Sequence, residues 1–226
     1  MRRRSFLLLL GGYGALRLTE LWVSRRRERA LAARGHARVR ERGFGWMVAA
    51  HAAPFVLAPL ELARRRRSSP SLAAVSLAAL AAAGALRLWV LGTLSDRWNV
   101  HIHASREMAI ATSGPYRYVR HPNYAAVVIE VAALPLAGGA WRTALGASLL
   151  DAVALAWRIS DEERALGANP EWRAAMADKP RLWPGVARLA TLIRPPTTTG
   201  DRAPRASAPS PRPRGDRRLD GARRPA

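Results

Sequence analysis

SLAAVSLAALAAAGALRLWVLGTL, residues 71–94, decides the fold class. It has no acidic residue, no proline and a single cation, Arg87, and it exceeds the ~20 residues a helix needs to cross a bilayer core. Hydrocarbon offers the backbone no hydrogen-bond partner, so such a stretch reads as an α-helix that satisfies its own polar groups. Outward toward the N-terminus, Ser5–Val23 and Phe44–Ala63 have the same length and character and predict two more spans. Outward toward the C-terminus, Tyr124–Trp157 is too long for one span and is interrupted at Pro135 and at Gly138-Gly139. Those breaks predict two helices in a tight hairpin, short enough to be re-entrant. The expected architecture is all-α: a polytopic membrane protein with about five transmembrane helices, the last two a helical hairpin.

The 226 residues could hold one or two domains, and the absence of cysteine excludes disulfides and Cys-ligated metals. A formal charge of +21 and a pI near 11.9 would ordinarily suggest nucleic acid. Here Arg25–Arg27, Arg64–Arg67 and the Arg-rich end flank apolar segments, which is the pattern of juxtamembrane charge. Membrane lipids, and no nucleic acid, are therefore the expected partners. Arg2–Arg4 followed by Leu7–Leu10 imitates the front of a secretory signal peptide. No small-residue cleavage site follows it; Arg17 and Glu20 stand there instead, three residues apart and able to pair on a helix, so a retained helix fits better.

If the hairpin returns to its own side, 24–42, 95–121 and everything after Trp157 share one face, with 27 Lys and Arg against 7 on the other. The positive-inside tendency then puts the large loops, and any site they carry, in the cytoplasm, with Arg2–Arg4 as a local exception. Three regions are expected: 1–94, membrane helices with a basic cytoplasmic loop at 24–42; 95–194, a core containing the hairpin; and 195–226, a disordered basic Pro-rich tail.

The segment richest in chemistry is SGPYRYVRHPNY, residues 113–124. Ser-Gly-Pro is turn chemistry, and His121-Pro122 is a helix start, because Pro at the first helical position loses no needed donor. Free N–H groups, the helix dipole and the Arg and His donors make a place for a carboxylate or phosphate. The same Tyr and Arg residues would equally serve as an interfacial belt anchoring the helix to headgroups. Beyond the hairpin lies Arg158-Ile159-Ser160-Asp161-Glu162-Glu163-Arg164. A helix from Trp141 to Leu166, stopped by Gly167, would carry the acidic pair beyond the membrane near His121. Carboxylates beside an anion site suit a ligand of both signs; an exposed Glu–Arg helix surface is the alternative. Glu130 and Asp151, inside apolar helices, read either as functional groups or as a buried pair between the hairpin helices. His101 and His103, two apart with no acidic neighbour, make a weak metal pattern, and no metal is expected.

Gly114-Pro115-Tyr116-Arg117-Tyr118-Val119-Arg120-His121-Pro122-Asn123-Tyr124 followed by Glu162-Glu163 resembles the isoprenylcysteine carboxyl methyltransferase and phospholipid N-methyltransferase superfamily. The likeness spans roughly Leu86 to Gly185. It implies a small helical membrane enzyme whose two motifs enclose S-adenosylmethionine on the cytoplasmic face. By matching position, Arg120 and His121 would hold the cofactor's carboxylate end and Tyr124 would pack on it. Glu162 and Glu163 would bind its polar groups, with Tyr118, Pro122 and Asn123 completing the cofactor block.

The runs at 85–89, at Arg97-Trp98-Asn99 and at 128–136 are similar to bacterial members that O-methylate alkylpyrones. This implies a bacterial inner-membrane location and a lipid-like small-molecule acceptor near Trp98, Asn99 and Glu130. The chain departs from many relatives at Ala125-Ala126, where a glycine is common, and at Trp172, where Tyr is common. A methyl group carried on sulfonium is already activated, so the protein mainly aligns an oxygen nucleophile and excludes water, and Arg87 or Arg158 could stabilise an oxyanion. The related NADPH-dependent sterol and lipid reductases, generally longer, share a similar His-Pro-Asn-Tyr and are the second enzymatic reading; a non-catalytic membrane scaffold is the third.

Overall fold

The computed structural model describes residues 1–33, 41, 43–63, 68–95 and 110–184, which belong to one compact unit, Met1–Leu192. Among the described residues, six α-helices run in the order α1 Arg3–Ala33, α2 Phe44–Ala63, α3 Pro70–Leu94, α4 Pro122–Gly138, α5 Trp141–Leu166 and α6 Pro170–Met176, with a 3₁₀ turn at Gly114–Arg117 before α4. No strand occurs among the described residues. Three of these helices are long and apolar enough to cross a membrane, over Arg3–Arg29, Phe44–Ala63 and Pro70–Leu94, and Pro122–Gly138 is a shorter apolar helix.

Three expectations are corrected. The first helix does not stop near Val23 but continues to Ala33, so the first part of the expected basic loop at 24–42 is helical. The reason is compositional: from Arg25 to Ala33 the chain is Arg, Glu, Ala and Leu, all good helix formers, with no Gly or Pro. Pro135 does not interrupt the hairpin's first helix; it lies buried inside α4, and the break falls at the diglycine alone. The second hairpin helix, α5, is not short, with 26 residues. The Arg64–Arg67 run and the tail from 195 lie outside the described residues.

Local chemistry fixes the helix ends. Ser69 caps α3 by accepting the Leu72 N–H at 3.2 Å, with Pro70 at the first helical position. The start of α5 has no cap of its own; Glu61 of α2 serves instead, accepting the N–H groups of Arg142 at 3.2 Å and Thr143 at 2.9 Å and the Thr143 hydroxyl at 2.9 Å. An acidic group at a helix start also opposes the dipole there.

The helices pack α3 on α4, α2 on α5 and α4 on α5, with α1 contributing a thinner contact to α2 and α4. Small residues dominate the buried faces, among them Ala73, Ser76 and Ala83 of α3 and Ala125, Ala126, Ala133 and Ala137 of α4. That lets backbones approach closely where no water supplies a hydrophobic drive. Large apolar side chains such as Leu8, Leu18, Val56, Leu60, Val75 and Leu149 face outward, as suits a lipid-facing surface.

The α4–α5 hairpin turns on Gly139, whose φ of 93° is left-handed. A Cβ there would also stand 3.1 Å from the Ser68 Cα. Gly139→Ala is therefore expected to cost about 1–2 kcal/mol from backbone conformation alone, seen as a melting point several degrees lower in detergent. An unchanged melting point would mean that the turn relaxes freely.

Candidate active site

The site is built where α4 begins. Ser113-Gly114-Pro115 folds the chain back through the 3₁₀ turn, with Gly114 at φ 57° and its missing Cβ position taken up by Thr93 and Trp89 of α3. His121 is the N-cap of α4 and Pro122 its first helical residue. The approaching strand of chain is held by a later segment: the N–H of Arg120 donates to Pro180 O and that of His121 to Arg181 O, both at 2.9 Å. Lys179 donates to Tyr116 O at 2.8 Å, while Arg120 donates to Lys179 O at 2.7 Å and to Ala177 O at 3.3 Å. Residues 177–182 thus strap the motif from outside.

Opposite stands the end of α5. Glu163 accepts from Arg120 at 3.1 Å and from Arg181 at 2.7 Å, and its Oε1 lies 3.1 Å from His121 Nε2. Burial pushes the Glu163 carboxyl up, but hydrogen bonds from His121 and Arg181, and their charge, outweigh it and hold it at about 2. The same hydrogen bond raises the Arg181 guanidinium above its ordinary value. The His121 ring stacks on Tyr124, with centroids 5.4 Å apart at 19°. The Tyr124 hydroxyl donates to Glu162 and accepts from Arg158 Nε at 2.8 Å, and Arg158 Nη1 donates to Glu41. Three carboxylates (Glu41, Glu162 and Glu163), three guanidinium groups (Arg120, Arg158 and Arg181) and the stacked His121–Tyr124 rings are thus linked around one helix start.

Deeper in the bundle lies a second polar group. Arg87 of α3 forms a two-pronged ion pair with Glu130 of α4, Nε to Oε1 at 3.0 Å and Nη2 to Oε2, and its Nη1 donates to Asn123 at 3.2 Å. Arg17 and Glu20 of α1 join it: Arg17 pairs with Glu20 at 2.9 Å and lies 3.5 Å from Glu130 without hydrogen-bond alignment, and Glu20 lies 3.8 Å from Arg87. Beside this network opens a cavity of about 450 Å³. Its walls are mostly apolar side chains of α1 and α2, with Arg17, Glu20, His51, Arg87, Asn123, Tyr124, Asp151 and Arg158 as the polar part. Tyr124 and Arg158 line this cavity and also bind the Glu162 side, so they form a wall common to both sites.

The structure brings Arg120, His121, Tyr124, Glu162 and Glu163 together. Pro122 is buried at the first turn of α4. Asn123 turns instead to Arg87 and the cavity, and Tyr118 is half-exposed against Trp89, with ring centroids 6.4 Å apart. Arg87 and Arg158 both line the cavity, each buried and already paired. Glu130 is engaged by Arg87 and is not part of the cavity wall. The expected alternative of a Glu130–Asp151 pair across the hairpin is corrected, because Glu130 points to α3 and Asp151 forms no such bond. Trp98, Asn99, His101 and His103 lie outside the described residues. Sequence reasoning missed Glu41, His51 and the role of Arg181. The signal for His51 was present, a lone imidazole in an apolar span, the same signal that marks Arg87, Glu130 and Asp151.

Helices long and apolar enough to cross a membrane, with a two-signed polar cluster at one end and a mostly apolar chamber behind it, define a helical membrane protein. The chain belongs to the isoprenylcysteine carboxyl methyltransferase (ICMT) family, whose pattern matches residues 75–168, and so to a family of membrane methyltransferases. The matched region runs from α3 to the end of α5 and contains Arg120, His121, Tyr124, Arg158, Glu162 and Glu163, while Glu41 and Arg181 lie outside it. The chain is similar to "Uncharacterized protein YpbQ" of Bacillus subtilis, 28% identical over 161 residues, covering 71% of this chain and 96% of that protein. It is also similar to an "Uncharacterized protein" of Haemophilus influenzae, 35% identical over 153 residues, covering 67% and 89%.

Proposed function

We propose that the protein transfers a methyl group from S-adenosylmethionine to a lipophilic acceptor, either an alkylpyrone-like enol or an isoprenylcysteine-like carboxylate. On this reading it acts as a multi-pass protein of a bacterial inner membrane, with its cofactor site on the cytoplasmic face. The observation that carries it is the meeting of Arg120, His121 and Tyr124 with Glu162 and Glu163, partners 38 to 43 residues apart across the hairpin. The donor set fits the cofactor's chemistry. An amino group and ribose hydroxyls call for carboxylates, which Glu162 and Glu163 supply; a carboxylate calls for Arg120, His121 and the start of α4; an adenine ring calls for a flat partner such as the His121–Tyr124 stack.

When bound, S-adenosylmethionine supplies an electrophilic methyl group on sulfonium. The chain's residues bind, orient and shield. Tyr124 and Arg158 lie between cofactor and acceptor chambers and keep the two reactants in register. Arg158 and Arg87 present guanidinium N–H groups to the cavity and stabilise negative charge on an acceptor oxygen. The exposed apolar helix faces keep lipid around the chamber, so the acceptor enters laterally and water stays out. The lipid-like acceptor and membrane lipids are the partners; nucleic acid is not.

Calorimetry on the detergent-purified full chain tests the reading. S-adenosylmethionine is expected to bind in the micromolar range, and NADPH not to bind. Binding of NADPH alone would replace methyl transfer by a reductase reading; binding of neither by folded protein would return the chain to a scaffold role.

A further inference from the structure

Asp151 stands near the middle of α5, 2% exposed, and its Oδ1 is buried without any hydrogen-bond partner. It lines the 450 Å³ cavity. A carboxylate is costly to bury without a donor, and the other carboxylates of the interior are all paired: Glu130 with Arg87, Glu20 with Arg17, Glu41 with Arg158. The charged and titratable groups that share the cavity with Asp151 are Arg17 and Glu20 of α1, His51 of α2, Arg87 of α3, Tyr124 of α4 and Arg158 of α5. His51 Nδ1 lies 2.8 Å from Met47 O and so carries its proton there. Asp151 thus lines the chamber with a carboxylate whose Oδ1 has no donor.

Resting on the methyltransferase reading, we propose that Asp151 is the proton acceptor of the reaction and that the chamber takes a neutral, alkylated molecule bearing an acidic hydroxyl. A molecule entering from hydrocarbon arrives protonated, because a free anion is expensive there, so its proton has to be lost inside the chamber. The balance closes. The acceptor O–H bond breaks and its proton goes to the Asp151 carboxylate, giving the neutral acid. The oxygen's electron pair forms the O–CH3 bond. The S–CH3 bond breaks, its electron pair staying on sulfur to leave a neutral thioether. A carboxylic acid, with an ordinary pKa of about 4, is ionised at the headgroup level near neutral pH; as an anion it has no proton to give and is repelled by Asp151, so the unpartnered group also selects hydroxyl over carboxylate. Eleven of the cavity's eighteen wall residues come from α1 and α2, outside the family-matched 75–168, which makes the N-terminal helices the part of this chain that shapes acceptor choice.

The test uses full-length protein in lipid nanodiscs, methyl-labelled S-adenosylmethionine, and two probes: a long-chain 4-hydroxy-6-alkyl-2-pyrone and N-acetyl-S-farnesylcysteine. Wild type, Asp151→Asn, Asp151→Glu and His51→Gln are compared after each is shown folded by its melting curve. Expected are transfer to the pyrone by wild type, cofactor affinity within about twofold in Asp151→Asn, and a loss of roughly 100-fold or more in kcat with a much smaller change in KM. That deficit is expected to shrink as pH rises and solvent ionises the pyrone, and Asp151→Glu to recover part of the rate. Undiminished kcat in Asp151→Asn, transfer to the farnesylcysteine alone, or a base-dependent loss in His51→Gln instead would each overturn the proposal. Should Asp151→Asn not fold, Asp151→Glu with a wild-type rate and pH profile unaltered by the longer arm would overturn it too. Wild-type protein that binds no S-adenosylmethionine would overturn the methyltransferase reading itself, whereas the preceding failures leave that reading standing.

Discussion

Arg87→Met is expected to leave little folded protein in detergent, while Arg87→Met combined with Glu130→Met recovers most of it. Arg87 is 5% exposed and Glu130 4% exposed, and Arg87 donates two parallel hydrogen bonds to the Glu130 carboxylate in the bundle interior. Removing one partner strands a buried charge, which costs about 3–5 kcal/mol, whereas replacing both by apolar groups of similar volume is close to neutral. Arg17 cannot take over in the single variant, because it already serves Glu20 at 2.9 Å and meets Glu130 only obliquely. In the double variant the Arg17–Glu20 pair is left intact and self-contained. The single change should lower the melting point by roughly 10 °C or more; a shift under about 2 °C would mean that water or lipid headgroups reach Glu130. Loss of cofactor affinity in the double variant is expected to be small, since Arg87 contacts the His121 cluster only through Asn123.

Helix extents were legible wherever chemistry is local. Phe44–Ala63 and Trp141–Leu166 carry the bounds expected of them, since Gly43 precedes one and Gly167 follows the other, and the hairpin is set by Gly138-Gly139. The end of α1 was not legible, because the change from apolar to basic residues at Ser24 marks a membrane boundary rather than a helix boundary, and arginine favours helix as leucine does. The His121–Glu163 meeting was legible because a hairpin returns to its starting point. The Arg87–Glu130 pair was not: it depends on the rotation of α3 against α4, which an almost uniformly apolar sequence leaves unmarked. The same holds for Arg158–Glu41, a pair 117 residues apart in the chain, and for the strap at 177–182, much of whose grip is made through the backbone carbonyls of Ala177, Lys179, Pro180 and Arg181, which any residue could supply.

Glu163→Gln is expected to weaken S-adenosylmethionine binding by about 10- to 150-fold. The side chain keeps its shape and loses its charge, and hydrogen bonds to charged groups contribute about 1.5–3 kcal/mol each, with 1.4 kcal/mol corresponding to tenfold. Glu163 is the junction of Arg120, His121 and Arg181, so the variant also leaves three cationic or polar donors without their common acceptor and loosens the strap. Its pH signature separates charge from shape. The carboxyl is held at about 2 against an ordinary 4.5, so it contributes stability that is fully present above the ordinary value and is lost as pH falls through the folded one. The melting-point gap between wild type and Glu163→Gln should therefore be constant from neutral pH down to about 5 and narrow progressively toward 2. A gap that stays level through that window would show that Glu163 acts by packing alone. A gap that narrows while cofactor affinity is untouched would assign the ion-pair cluster to stability and move the cofactor's polar contacts to Glu162 and Tyr124.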